Sequence, residues 1–498
     1  MMVKDKRPVG AIDTLASFVV TTDSAAIPPD ALATAVRGVI DFTGVAIAGA
    51  TIPAVTPLRE YVDSVSASGS STALGCSRKI TAEGASFLNG AVGHVLDFDD
   101  CSDLLGGHPT VAVLPAALAV AEAEGSSARE TLAAYSIGVE VVSAIGCCMN
   151  FRHYERGWHP TATIGIFGAV AAASRLLRLD VDATARAFAI AASFSSGIKG
   201  SFGTLMKPGQ VGAAGSNGVA AAKLSALGVS ANRDIFDSGQ SFGKVYNGED
   251  IDWSPLDTLG RDWRMASSGL VFKLYPCCGS THAPIDAVLT VMEKNKLDAR
   301  DIEAIDVYVH PRRIPHTDRP EPGTGTERRF SLQYGVAVAA AKGAVTLGDF
   351  TEIPPVASLV SVQDLMKKVR LHALPENQRV ILPMRSDCLA AEVTVQTYGG
   401  VRYEHFIECP RGSDPRNPLS DAALHEKFVA TSASSIGSED SSSILNRLKA
   451  WTDGRGTLSD LMSQINETLV RSKCPAKEVA EARWETRSAP HTMWQNRS

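Results

Sequence analysis

The sequence predicts a mainly α protein: a large all-α helical domain interrupted by a smaller α+β domain. Two changes of texture carry this. From Ala11 to about Asn247, apolar residues recur at helical spacing between Gly, Pro or Ser punctuation, with no strand-like alternation. After Lys273 the pattern shifts. Ile302–His310 alternates apolar and polar positions, and Ala391–Thr397 and Val401–Ile407 flank Gly399-Gly400, a hairpin signal. Plentiful alanine and glycine, with aromatics at 6%, favour closely packed helices over a β-sandwich.

In chain order, helical spacing covers Leu32–Ala48, Ala82–Asp97, Val111–Glu122, Arg129–Cys147, Thr163–Leu177, Ala183–Ser193 and Val211–Leu227. Small residues on successive turns (Gly165, Gly168, Ala172; Gly212, Gly215, Ala220) let helix backbones approach closely. Inside the insert, Pro284–Asn295 and Ser331–Lys342 read as helices. The chain turns helical again at Ala422–Val429, serine-rich Thr431–Ser443 reads as a loop, and Ile444–Trp451 and Thr457–Leu469 read as short helices. The expected divisions are 1–268 (helical, first part), 269–408 (α+β), 409–470 (helical, second part) and a mobile polar tail, 471–498.

Composition excludes several classes. A chain of 498 residues, 45% hydrophobic and 20% charged, is ordinary globular text, long enough for two cores. A net charge of −6 without a basic stripe argues against nucleic acid. The nine cysteines include the adjacent pairs Cys147-Cys148 and Cys277-Cys278 and no C-x-x-C, which reads as reduced thiols in the cytosol. No apolar region follows the N-terminal charges, and Asp5 and Asp13 argue against a targeting peptide. Apolar runs such as Val111–Ala123 are short and interrupted by Pro115, so no membrane partner is expected. A cytoplasmic location follows.

Three protonatable residues stand directly before a proline that opens a small-residue run: His108-Pro109-Thr110, His159-Pro160-Thr161 and Lys207-Pro208-Gly209. Proline is favoured at the first helical position, so each predicts a helix start with its cation at the N-cap. A helix N-terminus attracts anions and favours a neutral imidazole. Together the three point to a site for a small polycarboxylate with proton transfer at its centre. Just upstream of His108, Leu96-Asp97-Phe98-Asp99-Asp100-Cys101 supplies a carboxylate to orient an imidazole, with Asp97 and Cys101 spaced to face one way at a helix end. Asp99 and Asp100 read equally well as solvated acids, and no metal-ligand spacing is present, so no metal is expected.

A second constellation runs from Phe272 to His282 (FKLYPCCGSTH), where Lys273 offers a carboxylate contact opposite Lys207. Its cysteines read as small hydrophobes rather than nucleophiles. Tyr334, at a helix start, is a candidate hydroxyl donor or a core residue.

With LDFDD followed by GGHPT, GWHPTATIG, TLMKPGQVG, FKLYPCCGSTH, SLQYGVAVAA and PRGSDPRNPLSD, the chain resembles the MmgE/PrpD superfamily from about Ala11 to Phe428. That superfamily includes 2-methylcitrate dehydratases, cis-aconitate decarboxylases and an iminodisuccinate epimerase. The resemblance implies a helical domain built from both chain ends, an α+β lid, a homodimer, and cofactor-free lyase chemistry in the cleft between domains. Carried over by motif, the catalytic residues fall on Asp97, His108, His159 and Lys207. Substrate contacts fall on Lys273, Tyr334, Cys101 and His282. Cys101 stands where threonine is common, and the Asp97-to-His108 spacing is slightly longer; both departures bear on substrate identity, not on fold. Near Cys278 and His282 the match is blurred, because decarboxylases vary where this chain has CCGSTH, and that bears on the role of His282.

The leading expectation is a lyase on an aconitate- or alkylcitrate-like acid, by decarboxylation or dehydration. Epimerisation of an amino-dicarboxylate and a non-catalytic carboxylate-binding paralogue are the alternatives. Decarboxylation needs a proton donor for the carbon, and dehydration needs a base for C–H and an acid for the departing hydroxide. His108, downstream of three acids, suits the donor. His159, after Arg156-Gly157-Trp158, suits a neutral hydrogen-bonding partner.

Overall fold

The computed structural model describes residues 10–149, 151–249, 251–267, 269–350, 362–376, 389–413 and 418–473. The expected Arg471–Ser498 tail begins inside the last helix, Leu458–Lys473, which takes in residues 471–473, and its remainder lies outside the described residues.

Two apolar cores organise the described chain. One gathers side chains from Ala11 through Phe272 and again from Leu419 to Leu469, so the final helices pack into the same core as the first. The other spans Tyr275 to Val395 and belongs to the α+β insert. In the helical body, Met206–Ala226 lies along Ala82–His94 at very close range. A Cβ added at Gly212 would sit 2.3 Å from the Phe87 carbonyl oxygen, so only glycine permits that approach. This contact sets the backbones that carry Lys207 and His94 side by side.

The insert folds on a four-stranded sheet of order β3-β2-β4-β5, formed by β2 (Ile302–Val309), β3 (Val369–Ala373), β4 (Ala391–Thr397) and β5 (Arg402–Ile407). β2 runs parallel to β3 and antiparallel to β4, with Ile305 opposite Val369 and Val307 opposite Val393. The alternation in β2 turns Ile305 and Val307 inward, beneath helices His282–Asn295 and Leu332–Lys342.

Several expectations change. A short strand, β1 (Ser68–Ser71), bridges to Ile80 within the otherwise helical half. The serine-rich segment is not a loop: helices Asp421–Ile436 and Ser438–Thr452 cover it, broken only at Gly437. There Ser432 and Ser441 share a buried hydrogen bond of 2.9 Å, so packing overrides weak helix propensity. Pro115 does not interrupt Pro109–Glu124, which runs through it. His108 and His159 are N-caps as expected, although the second helix, Pro160–Thr163, is one turn followed by Gly165–Leu176. Lys207 is not a cap. Its helix starts at Met206 with Leu205 as N-cap, and Pro208 is accommodated in the first turn, where N–H groups have no intrahelical partner anyway.

Two helices, Pro29–Gly49 and Ala128–Met149, have the length and apolarity of membrane spans, and 72% and 94% of their apolar windows are buried inside the protein.

Candidate active site

The helix Ala82–His94 ends just before the acidic segment, and Asp97 then takes a left-handed backbone conformation with φ of 51°. Asp tolerates this region better than most residues, at a cost of about 1 kcal/mol. The turn is held from outside: Lys273 Nζ donates to the Asp97 carbonyl at 2.8 Å and to its Oδ1 at 2.9 Å. Lys207 Nζ reaches the same Oδ1 at 2.9 Å. All three residues are at most 4% exposed. The Lys207 ammonium also lies 5.2 Å from the Phe202 ring centre and 4.9 Å from that of Phe330.

The rest of the loop is tied on all sides. Cys101 exchanges backbone hydrogen bonds with Val271, anchoring the loop to the strand-like approach to Lys273. Lys427, from the second helical part, donates to the Phe98 carbonyl at 2.8 Å and pairs with Asp41 at 2.6 Å. The two His-Pro-Thr motifs interlock, because the His108 backbone N–H donates to Thr161 Oγ1 at 3.1 Å. Gly107 makes room for this: a Cβ there would lie 2.6 Å from Thr161 Oγ1.

Three imidazoles gather at this point, and each has its Nδ1 facing an acceptor. His94 Nδ1 lies 2.9 Å from Asp99 Oδ2. His108 Nδ1 lies 2.7 Å from the Asp100 carbonyl and 3.1 Å from Asp99 Oδ2. His159 Nδ1 lies 2.8 Å from Gln210 Oε1, and the Gln210 amide is oriented because its Nε2 donates to the Ile198 carbonyl at 3.2 Å. A carbonyl or carboxylate oxygen can only accept, so Nδ1 carries the proton in all three rings and the lone pair of a neutral ring sits on Nε2. The Nε2 atoms of His94 and His159, and Asp97 Oδ2, are buried without a hydrogen-bond partner. His108 Nε2 faces Asp97 Oδ1 at 3.6 Å. The His94 ring lies edge-on to His108, centroids 4.5 Å apart, and stacks toward His159 at 6.2 Å.

The electrostatics match this geometry. Burial opposes ionisation of Asp97, but Lys207 and Lys273 outweigh it and hold the carboxyl well below its usual range. Asp99 is likewise held low, its burial outweighed by His94 and His108. Burial pushes His94 down to about 4 and, with Lys207 nearby, keeps His159 well below the usual imidazole value. Asp100 behaves oppositely: burial raises its carboxyl well above the ordinary value, against a hydrogen bond from Thr110. At neutral pH the site therefore holds ionised Asp97 and Asp99 beside neutral His94 and His159, with Asp100 behind them shifted toward its protonated form.

A cavity of about 70 Å³ opens between body and lid, walled by Asp97, Cys101, His108, His159, Lys207 and Lys273, with the lid also contributing Cys278, Ser280, Arg313 and Phe330. Six of the eight residues expected from sequence thus converge on one cavity. The other two do not line it. His282 is buried in the lid, its Nε2 3.2 Å from the Cys277 carbonyl and its ring against Tyr275, and burial lowers it to about 4. Tyr334 donates its hydroxyl to the Asp349 carbonyl and packs against Phe350 in the lid core.

Other expectations are also revised. The two lysines do not face each other across a substrate but meet on one carboxylate oxygen. Asp99 and the Asp100 carbonyl, rather than Asp97, hold His108 Nδ1, and neither acid is solvated. Cys101 and Asp97 share the cavity through a loop, since the helix ends at His94. Burial pushes the Cys101 thiol up to about 12, which leaves it a poor nucleophile. His94 and Asp99 were the residues missed as a functional pair. Their signal was present, a histidine three residues before Asp97 and five before Asp99.

By distance alone His94, Asp97, Asp99 and His108 could surround an ion, since their ligand atoms lie within 4.8 Å of one another. Several of their electron pairs are already engaged, although His94 Nε2 and Asp97 Oδ2 are not. Asp97 Oδ1 accepts from two ammonium groups and Asp99 from two imidazoles, so the charge of Asp97 is already balanced by the two lysines. A larger open groove of about 1050 Å³ follows the lid helix His282–Asn295, but its buried acid, Asp286, is taken up by Tyr275 and Arg411.

Fold and site together define a two-domain acid–base protein, with a helical body and an α+β lid enclosing a buried cluster of imidazoles, carboxylates and lysines. Residues 13–254 match the MmgE/PrpD N-terminal domain and residues 275–453 the MmgE/PrpD C-terminal domain, so the chain belongs to the MmgE/PrpD family. Among its relatives are proteins named cis-aconitate decarboxylase. The mouse protein is 28% identical over 435 residues, 84% of this chain and 86% of the relative. The human protein is 28% identical over 458 residues, 88% and 92% of the two chains. That of Aspergillus terreus is 24% identical over 474 residues, 91% and 93% of the two chains.

Proposed function

We propose that this protein is a cofactor-independent lyase of a small di- or tricarboxylate, of the cis-aconitate decarboxylase type. The observation that carries the reading is the convergence of His108 and His159, with fixed tautomers, on a cavity whose floor is an ionised Asp97 neutralised by two lysines. The relatives named cis-aconitate decarboxylase, aligned over most of this chain, support the same chemistry.

In decarboxylation the bond between carbon and the departing carboxylate breaks as CO₂ leaves. Its electron pair moves into the conjugated system toward a remaining carboxylate, and a proton is added to the carbon that carries the pair. Lys207 gives one N–H to Asp97 and Lys273 gives two, which leaves each ammonium at least one further donor, so both can stabilise the charge that develops on that carboxylate. To act as the donor His108 must be the imidazolium. Its Nδ1–H stays held by the Asp100 carbonyl and Asp99, the second proton sits on Nε2 and passes to the carbon, and the neutral ring left behind takes a new proton from solvent. His159, kept neutral, offers Nε2 as an acceptor to a protonated carboxyl or an ordered water. The cavity is about half the roughly 150 Å³ that accommodates a benzene-sized guest, so admitting a polycarboxylate requires the lid to move.

Dehydration of an alkylcitrate-like acid is the second reading, favoured by the separate imidazoles, one placed as acid and one kept as base. Incubation with cis-aconitate, citrate and 2-methylcitrate, followed by NMR, separates CO₂ loss from water loss and from no reaction. CO₂ loss from cis-aconitate supports the leading reading. Turnover of none of the three leaves the amino-dicarboxylate epimerase and the non-catalytic alternatives. The reading further includes a cytoplasmic homodimer. Light scattering at micromolar concentration tests the dimer, and a monomer would contradict it.

A further inference from the structure

We propose that Arg313 of the lid, braced by Ser280, is the contact for a second substrate carboxylate, remote from the reacting carbon, and so selects polycarboxylates over monocarboxylates. The inference rests on the polycarboxylate lyase reading above.

β2 ends at Val309, and the turn Pro311–Arg313 that follows delivers Arg313 to the cavity wall. His310 shapes this turn, its ring nitrogen accepting from the Arg312 N–H and its carbonyl from the Arg313 N–H. Arg313 Nη1 donates to Ser280 Oγ at 3.3 Å, and that hydroxyl also meets His316 Nε2 at 3.2 Å. Ser280 lines the cavity as well, so the guanidinium is steered along the wall by another wall residue.

Its neighbours do a different job. Arg312 pairs with Glu155 of the body at 3.5 Å, and Arg319 donates to the body's Phe202 carbonyl at 3.1 Å. These two arginines tie lid to body on either side, and the one between them faces the cavity. The field there is strongly positive. Burial, and then Arg313, lower Lys199 to about 8 and His316 to about 3.

The cavity thus carries cations at two places. Lys207 and Lys273 surround Asp97 beside the imidazoles, where charge develops during reaction, and Arg313 stands on the lid. A monocarboxylate could use only one of them. A guanidinium also presents a planar fork that matches a carboxylate in two-point contact.

The test compares wild type, Arg313→Gln and Arg313→Lys with the best substrate from the panel and with its monomethyl ester at the remote carboxylate. The expected result is a KM raised about ten- to hundredfold in Arg313→Gln, with kcat changed less than about threefold and partial recovery in Arg313→Lys. The ester should suffer a similar penalty with wild type and little further penalty with Arg313→Gln. An unchanged KM, or equal additional loss on acid and ester, would overturn the assignment while leaving the lyase reading intact. If wild type neither binds nor turns over any polycarboxylate, the lyase reading fails and takes this inference with it. Should Arg313→Gln fail to fold, Arg313→Lys and the ester series on wild type still decide the matter.

Discussion

Lys207 and Lys273 place their Nζ atoms on the same oxygen of Asp97, each at 2.9 Å. One comes from the helical body and the other from the stretch leading into the lid. Asp97 is therefore both a site residue and the joint that fixes two elements against each other, and its ionised state is a condition of the fold.

The shared oxygen makes stability sensitive to its members. Asp97→Asn should cost about 3–5 kcal/mol, because it leaves two buried ammonium groups facing a neutral side chain. Lys273→Met should cost more than Lys207→Met, since Lys273 also supports the strained Asp97 backbone. Urea denaturation checks both. A loss below about 1 kcal/mol for Asp97→Asn would mean that the charges are not buried together in solution.

His108 and His159 should fail differently. His108→Gln should abolish turnover while binding persists, because it removes the proton donor and leaves both lysines. His159→Gln should impair binding at least as much as rate. Isothermal titration with a substrate analogue, beside steady-state kinetics, separates the two. Normal turnover by His108→Gln would reassign the donor to His159.

His94 should shape the acid limb of stability. Its folded-state value, about 4, lies below the unfolded value of about 6.5, so between these the unfolded chain binds the extra proton. Stability contributed by the neutral ring is present above pH 6.5 and is lost as pH falls toward 4, by up to about 1.4 kcal/mol per pH unit. Removing the ring should remove that component, so His94→Gln should show a shallower fall than wild type over this window. Parallel curves would show that His94 is protonated in the native state.

Catalysis should survive exhaustive dialysis against a chelator, because Asp97 Oδ1 and Asp99 are already taken up by ammonium and imidazole groups. Activity lost to chelator and restored by a divalent ion would show that an ion displaces those contacts.

Most of the fold was legible because local chemistry announced it. Prolines marked helix starts at Pro109 and Pro160, and Gly399-Gly400 marked the hairpin of β4 and β5. Errors came where tertiary contacts outvoted local preference. The serines near 432–441 form helices because Leu424, Phe428 and Leu445 bury beside them, and edge strand β3, VRLHA, alternates over only five residues, too short a run to declare itself. The site was legible as a set of motifs but not as a wiring diagram. No local signal says that residues 97, 207 and 273 meet, nor which side of the CCGSTH loop faces the cavity. Cys278 and Ser280 do so, and His282 turns into the lid instead.

On the proposed function, His108 delivers the proton in a decarboxylation that this chain performs with its own residues. Chelator-dialysed wild type and His108→Gln, each incubated with cis-aconitate in D₂O and followed by ¹³C NMR, test it directly. Wild type should release one CO₂ per acid consumed and place a single deuterium in the product, and His108→Gln should bind the acid but do neither. Equal turnover by the two proteins, or loss or addition of water without CO₂ release, would contradict it.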